Sequence, residues 1–250
     1  MALTDRLLSV MAEAEAAGAA QLAAVIQAGS LARLTQLRTG ESSRYLFLAE
    51  LTTALRSLWL VAIQRTTEEF TAEFSEGFPA STKALSDTLL ESFISGLRPR
   101  TAQQILATTE RQVQDMIRGG MASGESADSA YANLLEKLPE ISGLRALLIT
   151  RTEVHAATQF TSWQLARRSL VPLIKIWNTV PDARTRDFGT LGRISQFNHR
   201  AMNGKQAQLT DAFAVPVLGG GYEYLMFPGD PRGSAGNIIN CRCIQTYERA

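Results

Sequence analysis

Hydrophobic residues in the first two-thirds of the chain recur every three to four positions, which is the spacing of amphipathic helices. A clear example is the series Leu48, Leu51, Leu55 and Leu58. The pattern predicts six helices, over residues 5–27, 42–74, 81–94, 101–117, 126–138 and 142–168. Gly29 is expected just beyond the end of the first helix, and Pro139 is expected to end the fifth.

The last third of the chain has a different pattern, with dense prolines, glycines and aromatic residues that favour loops and short strands. Residues 173–180 predict a strand, and residues 213–217 and 222–227 predict two short extended segments around a triple glycine. A short helix is expected to carry His199 and to end at Asn203-Gly204. The fold class is therefore α+β: a mainly α-helical N-terminal two-thirds followed by a small loop-rich module with short β-strands.

Composition excludes some classes of protein. The chain has 250 residues, of which 45% are hydrophobic and 20% charged, as in ordinary globular proteins. The longest stretch without charged residues, residues 16–32, is too short and too weakly apolar to span a bilayer. Asp5 and Arg6 fall where a signal peptide would have its apolar segment, so neither membrane insertion nor secretion by that route is expected.

The charges are unevenly distributed along the chain, although the net charge is only +1. Residues 151–250 hold 12 Lys and Arg against 7 Asp and Glu, whereas residues 1–150 hold 13 against 17. A basic C-terminal part is able to face an acidic partner such as DNA. An ordinary solvated surface is the simpler explanation of the same imbalance, and both interpretations stay open.

Cysteine and histidine are rare, and three of these four residues fall in the C-terminal module. Cys241 and Cys243 are separated by one residue, a spacing that strains a disulfide between them. Thiolate and imidazole are preferred zinc ligands, so both cysteines and His199 form a candidate structural zinc site. Such a site needs four donors, and Asp182, with Asp187 in reserve, is the candidate fourth ligand. The alternative is two small buried thiols and a polar surface histidine.

A charged pair lies on the last predicted helix. Arg151 shares the apolar stripe of Leu144, Leu147, Leu148 and Val154. A charge in such a stripe needs a partner, and we expect a carboxylate or backbone carbonyls of the C-terminal half. Arg151 and Glu153 are therefore predicted to form a structural ion pair that joins the helix to the strand-rich half. The alternative is a catalytic or nucleotide-binding pair, but the sequence shows no phosphate loop or nucleophile motif.

Six short motifs follow one another in a defined order along the second half of the chain. They are Arg151-Thr152-Glu153; Trp177; Asp182 with Arg184-Thr185-Arg186; His199 with Met202-Asn203-Gly204; Phe227-Pro228-Gly229-Asp230-Pro231; and Asn240-Cys241-Arg242-Cys243. In this order they resemble the phage head-morphogenesis, or minor head protein, family typified by the Mu F protein. The resemblance covers about residues 100–250.

The resemblance implies a division of the chain and a role for it. Residues 1–99 would be a helical arm or assembly region, and residues 100–250 the Mu F-like minor head protein domain. The implied function is that of a structural minor capsid protein of a tailed phage or prophage, acting in head morphogenesis at or near the portal vertex. The implied partners are the portal protein and the capsid and scaffold proteins, with several copies in each virion and contact with packaged DNA.

The resemblance also bears on location and on the metal. It implies a protein of the virion that is present in the host cytoplasm during assembly. Some members of the family have cysteine at the position of His199, and zinc permits that exchange of ligand types. A non-enzymatic protein is expected, since no catalytic constellation is visible. Two alternatives stay open: a phage-delivered effector enzyme with a C-terminal metal site, and a DNA-binding head protein.

Overall fold

The structure, a computed structural model, describes residues 2–39, 44–78, 82–180, 182, 184–189 and 194–250. It confirms the α+β class, with long helices followed by short antiparallel strands. The helices are α1 (Leu3–Thr39), α2 (Arg44–Glu73), α3 (Thr82–Leu97), α4 (Thr101–Ala122), α5 (Ala127–Arg168) and the short α6 (Ala235–Ile238). Ser42 and Ser81, the predicted first residues of two helices, lie outside the described residues.

The prediction that the first helix ends before Gly29 is wrong, because α1 continues through this glycine to Thr39. The reason is packing between helices. A Cβ atom on Gly29 would lie 2.3 Å from ring carbons of Phe47 in α2. Glycine therefore lets the Phe47 ring approach the α1 backbone closely, and its role here is close contact rather than helix termination.

The prediction of two helices separated by Pro139 is also wrong, since α5 is one helix with this proline inside it. Proline removes one helical hydrogen bond, normally made to the carbonyl of Leu135. Pro139 and Leu135 are both exposed, so water can reach that carbonyl. Leu134 and Leu138, before the proline, pack with Leu34 and Val113. Ile141, after the proline, packs against the same cluster, so burial holds the helix on both sides of Pro139.

Five short strands follow α5. They are β1 (Leu173–Asn178), β2 (Lys205–Gln208), β3 (Phe213–Pro216), β4 (Tyr222–Leu225) and β5 (Ile244–Arg249). An antiparallel sheet has the order β2-β1-β5, and β3 and β4 form an antiparallel pair. β1, β3 and β4 confirm the predicted extended segments, whereas the polar strand β2 and the C-terminal strand β5 were not predicted. His199 directly precedes a single 3-10 turn, Arg200–Met202, instead of lying within a helix.

The described chain forms two compact units. The first consists of Met1–Ala14, Trp59–Arg98 and Arg151–Ala250, and the second of Glu15–Leu58 and Pro99–Thr150. Both ranges expected from the resemblance, 1–99 and 100–250, contribute residues to each unit. The boundary at residue 99 stays a prediction.

Aromatic rings and a polar network connect the helices to one another and to the C-terminal segment within the first unit. Pairs of rings with centroids 5.2 to 5.6 Å apart are Phe70 with Tyr247, Phe93 with Phe160, and Trp163 with Phe227. Gln245 of β5 donates its backbone N–H to the side chain of Gln159 over 2.8 Å. The Gln245 amide in turn donates to the Gln159 carbonyl over 2.7 Å. These two buried hydrogen bonds fix the position of β5 on α5.

The predicted apolar stripe of the last helix is only partly buried. Val154 and His155 are buried in the first unit, as are residues 156–163. Leu144 and Leu147 of the second unit are instead 65% and 39% exposed. Among the described residues, no helix is long and apolar enough to cross a membrane.

Candidate metal centre

The three predicted ligands come together in the core of the C-terminal module. His199 directly precedes the 3-10 turn, Cys241 follows α6, and Cys243 directly precedes β5. All three side chains are at least 97% buried. They pack among Trp177, Phe213, Val215 and Leu225. An aromatic and aliphatic surrounding of this kind excludes water from the three donor atoms.

The geometry of the cluster matches that of a tetrahedral zinc site. His199 Nδ1 lies 3.5 Å from the Sγ atom of Cys241 and 3.5 Å from that of Cys243. Zinc bonds of about 2.05 Å to nitrogen and about 2.3 Å to sulfur, at tetrahedral angles, place these atoms about 3.5 Å apart. The three donor atoms all lie within 4.8 Å of one another. The two distances from nitrogen to sulfur are therefore those of a zinc site.

The other nitrogen of His199 has a different partner. His199 Nε2 lies 2.5 Å from Oδ1 of Asn237, and both side chains are buried. Because an amide oxygen only accepts, the proton of the imidazole resides on Nε2. Nδ1 then carries a lone pair directed at the two sulfur atoms, as a metal-binding imidazole requires.

The two thiols are linked in their ionisation. The hydrogen bond from Cys243 lowers the pKa of Cys241 well below its usual value, and the neighbouring His199 acts in the same direction against burial. The same hydrogen bond and burial raise the pKa of Cys243. The pair therefore gives up its first proton easily and its second with difficulty, which is the behaviour of interacting sites. Binding of a divalent metal would displace the second proton.

Asp182 and Asp187 lie outside this cluster because arginines hold their carboxylates. Asp182 accepts a hydrogen bond of 2.6 Å from Arg242, the residue between the two cysteines. Although desolvation opposes it, this bond helps to lower the pKa of Asp182. Asp187 forms an ion pair of 3.2 Å with Arg200. Neither carboxylate is brought to the sulfur atoms in the described structure, and both instead fix loops around the cluster.

Arg151 anchors the cysteine segment to α5. Its Nη1 donates to Oδ1 of Asn240 over 3.2 Å. The backbone N–H of Asn240 donates to Oγ1 of Thr152 over 3.0 Å. Asn240 itself has a φ of 57°, a left-handed conformation that asparagine tolerates better than most residues. Two neighbouring helix residues thus hold the turn that leads into Cys241.

Glu153 has partners other than Arg151. Its Oε2 lies 3.1 Å from Nε of Arg98 and accepts a hydrogen bond of 3.1 Å from the Trp59 indole. Burial raises the pKa of Glu153, although Arg98 and Trp59 oppose this. Residues two positions apart on a helix face different directions, which explains why Arg151 and Glu153 are directed to separate partners. Each of them joins α5 to another segment of the first unit.

Three further residues around the cluster could not be assigned a role from the sequence. His155 Nε2 lies 2.6 Å from the carbonyl oxygen of Cys243. Gly229 has a φ of 74°, and a Cβ atom there would lie 2.3 Å from Nδ1 of His155. Asn237 Oδ1 contacts Nε2 of His199. Gly229 belongs to the Phe227–Pro231 motif, so its sequence context is a turn that favours glycine. No spacing in the sequence relates Asn237 to His199.

The comparisons with known proteins show the family to which the chain belongs. The family model described as "Phage Mu protein F like protein" matches residues 111–246, more than half of the chain. The chain therefore belongs to this family of phage head morphogenesis proteins.

A curated relative extends the match. The chain is 24% identical over 184 residues to "Uncharacterized protein YqbB" of Bacillus subtilis (strain 168). The match covers 73% of this chain and 56% of that protein, so the chain spans little more than half of the relative's length. No solved structure matches the chain.

Proposed function

We propose that this chain is a structural minor head protein of a tailed phage or prophage that acts in head morphogenesis at or near the portal vertex. The observation that carries the proposal is the family match over residues 111–246. The partners in this proposal are the portal protein and the capsid or scaffold proteins, with several copies in each head. The helical region of residues 1–99 would take part in the assembly contacts.

An exposed apolar surface supports a protein partner. Leu144 and Leu147 lie one turn apart on α5 and are 65% and 39% exposed. Large aliphatic side chains on one face of a helix are stabilised by burial against another protein. Each fully buried leucine contributes about 1.5–3 kcal/mol relative to an exposed one, so this pair is a substantial part of a binding surface.

The contacts of Glu153 argue against the alternative of an effector enzyme. A hydrolytic metal site needs a general base near the metal. Glu153 is the acidic residue that the sequence offers beside the motif, and its carboxylate is buried against Arg98 and Trp59. A carboxylate held in this way serves to stabilise the fold.

The excess of positive charge in residues 151–250 is weak support for DNA binding, because many of these charges are in ion pairs. Several arginines of the basic C-terminal part pair with carboxylates: Arg184, Arg200, Arg232, Arg242 and Arg249. Their charges are locally compensated, which reduces the field that would attract phosphates. The contact with packaged DNA therefore stays a secondary element of the proposal.

We further propose that His199, Cys241 and Cys243 bind a structural zinc ion. The matching distances, the burial of all three donors and the imidazole tautomer support this assignment. Zinc would join the segment after α6 to the 3-10 turn about forty residues earlier in the chain. The donor set is two thiolates and one imidazole, which selects zinc over calcium or magnesium.

The assembly role is tested on purified heads. A phage or prophage carrying this chain is induced, and heads are analysed by quantitative mass spectrometry. The chain is expected in heads at a fixed ratio to the portal protein. The variant Leu144→Glu/Leu147→Glu is expected to keep its unfolding temperature but to be lost from heads, whereas Leu170→Glu, at another exposed leucine, is incorporated. Heads that form normally without the chain would contradict the proposal.

A further inference from the structure

We infer that Glu223 and Asn237 are positioning residues that hold His199 in the one imidazole tautomer able to bind a metal together with the two thiolates. The inference rests on the zinc site proposed above. It concerns a chain of hydrogen bonds that begins on β4, passes through α6 and ends at Nδ1 of His199.

The chain begins at the carboxylate of Glu223. Its Oε2 accepts a hydrogen bond of 2.5 Å from the amide nitrogen of Asn237. The same carboxylate accepts from the backbone N–H of Ser234 over 2.6 Å and from the Ser234 hydroxyl over 3.0 Å. All three donors come from the segment that forms α6, so Glu223 fixes this short helix as well as the Asn237 side chain.

The carboxylate determines which way the Asn237 amide faces. A carboxylate only accepts, so the NH₂ group of Asn237 must face Glu223. The amide oxygen then necessarily faces His199, where it lies 2.5 Å from Nε2. His199 must donate from Nε2, and its lone pair is left on Nδ1, 3.5 Å from each sulfur. The direction of each hydrogen bond is therefore set by the one before it, starting from the carboxylate of Glu223.

Replacement of the Glu223 carboxylate by an amide would reverse the direction of these hydrogen bonds. In Glu223→Gln, an NH₂ group takes the place of Oε2 and faces the NH₂ group of Asn237. The conflict is relieved if the Asn237 amide rotates by 180°, which presents its NH₂ group to His199. The imidazole would then accept at Nε2 and carry its proton on Nδ1, where it points at the sulfur atoms. A protonated Nδ1 cannot bind a metal.

A second substitution restores the original order. In the double variant Glu223→Gln/Asn237→Asp, the NH₂ group of the new glutamine donates to one oxygen of the new aspartate. The other oxygen of that aspartate accepts from Nε2 of His199, as the native amide oxygen does. The glutamine oxygen still accepts from the Ser234 N–H. The single variant Asn237→Asp instead places two carboxylates side by side, and their repulsion separates the new carboxylate from His199.

The experiment measures zinc affinity of the full chain by competition with a chromophoric chelator at neutral pH. Loss of an outer partner of a metal-bound histidine weakens binding by about 10- to 100-fold, which is the loss expected for each single variant. The double variant is expected to regain most of this affinity, a non-additive result. Glu248→Gln, the same change at an exposed carboxylate of β5, is the matched control and should bind like the native chain.

Nitrogen chemical shifts of the imidazoles provide the second readout. The chain has two histidines, so the signals of His199 can be assigned with a His155 variant. The proton is expected on Nε2 in the native apo protein and in the double variant, and on Nδ1 in Glu223→Gln. If Glu223 had a purely structural role, Glu223→Gln would lower the unfolding temperature of the apo protein but leave the proton on Nε2. The second substitution, Asn237→Asp, would then not restore zinc affinity.

The outcomes separate this inference from the zinc proposal. If the native chain binds no zinc but Glu223→Gln moves the proton to Nδ1, the zinc proposal fails and the positioning chain stands. If the native chain binds zinc and all three variants bind it equally well, the zinc proposal stands and the positioning inference is overturned.

Discussion

At the scale of single residues, the two nitrogens of His199 show how one side chain joins two networks. Nε2 is held by Asn237, and Nδ1 faces the sulfur atoms of Cys241 and Cys243. A metal ion at this point would stabilise the folded state by binding to it and not to the unfolded chain.

Removal of zinc is therefore expected to lower the stability of the protein. With free zinc at a hundredfold excess over its Kd, the loss on adding a chelator is about 2.7 kcal/mol. Cys241→Ser/Cys243→Ser should be destabilised as well, and chelator should have no further effect on it. Calorimetry of both proteins with and without chelator checks this. Well under one equivalent of zinc in protein purified without chelator would rule out the metal.

Lys175 is a second residue whose chemistry is set by burial. From β1 its Nζ donates to the carbonyl of Met226 over 2.7 Å and lies 4.8 Å from the centroid of the Phe213 ring. Desolvation lowers the pKa of Lys175 to about 8, although Asp211 and Asp230 oppose the shift. A lysine in a strand is normally expected on the exposed face, so the sequence pattern gives no indication of this position.

The lowered pKa of Lys175 predicts a specific pH dependence of stability. The folded protein releases the proton at a pH of about 8, the unfolded chain only at about 10.4. Between these values the unfolded state binds more protons, so the free energy of unfolding increases with pH in this window. Lys175→Met removes this contribution. Urea unfolding of both proteins at several pH values should show the native chain gaining stability relative to the variant, and a constant difference would contradict the assignment.

At the scale of the helices, two glycines that lie inside helices have opposite roles. Gly29 in α1 is in contact with the Phe47 ring, where a Cβ atom would lie 2.3 Å from ring carbons. Gly143 in α5 has no other atom within 4 Å of the place a Cβ would occupy. In both helices glycine is intrinsically less favourable than alanine, by about 1 kcal/mol.

Alanine substitutions should therefore change stability in opposite directions. Gly143→Ala is expected to stabilise the protein by about 0.5–1 kcal/mol, because it reduces the entropy of the unfolded chain. Gly29→Ala is expected to destabilise it by about 1–3 kcal/mol, because the Phe47 ring must move. Thermal unfolding of the two variants is the measurement. A stabilising effect at Gly29 would show that the close approach of Phe47 is not needed.

The helices also show which features the sequence can predict. Periodicity locates the long helices because burial of one face leaves a regular pattern, whereas β1, β3 and β4 are located by strand-forming residues between turn-forming ones. Gly29 and Pro139 resemble helix ends in the sequence, yet both lie inside helices. The helix accepts Gly29 because the Phe47 ring packs on it, and accepts Pro139 because water reaches the Leu135 carbonyl. Neither condition can be read from the neighbouring residues in the sequence. The cysteines and His199 are predictable because rare residue types carry their chemistry.

The surroundings of the metal site are not predictable in the same way. Asp182 belongs to a motif of charged residues, but its pairing with Arg242 depends on the path of the chain between them. Asn237 and Glu223 are common polar residues in loop-rich sequence, and only their positions in space relate them to His199. A single sequence contains no signal for such indirect contacts.

At the scale of the whole molecule, the first unit is built from segments far apart in the sequence, and this determines which parts of the chain can fold independently. Trp59 and Arg98 surround the buried carboxylate of Glu153. Phe70 and Phe93 cover Tyr247 and Phe160. The expected assembly region of residues 1–99 therefore also supplies side chains to the core in which residues 151–250 are buried.

This arrangement predicts that a fragment of residues 100–250 does not fold alone. Without residues 59–98, the Glu153 carboxylate would lose both of the side chains that surround it, Trp59 and Arg98. The rings of Phe160 and Tyr247 would lose their aromatic neighbours in addition. Since whole domains are stable by only about 5–15 kcal/mol, the combined loss is expected to leave the fragment aggregated or without cooperative unfolding. Co-expression with residues 1–99 should restore a soluble complex, with the full chain as the reference for its circular dichroism and unfolding temperature. Cooperative unfolding of the isolated fragment would instead establish residue 99 as a true domain boundary and assign residues 1–99 entirely to assembly.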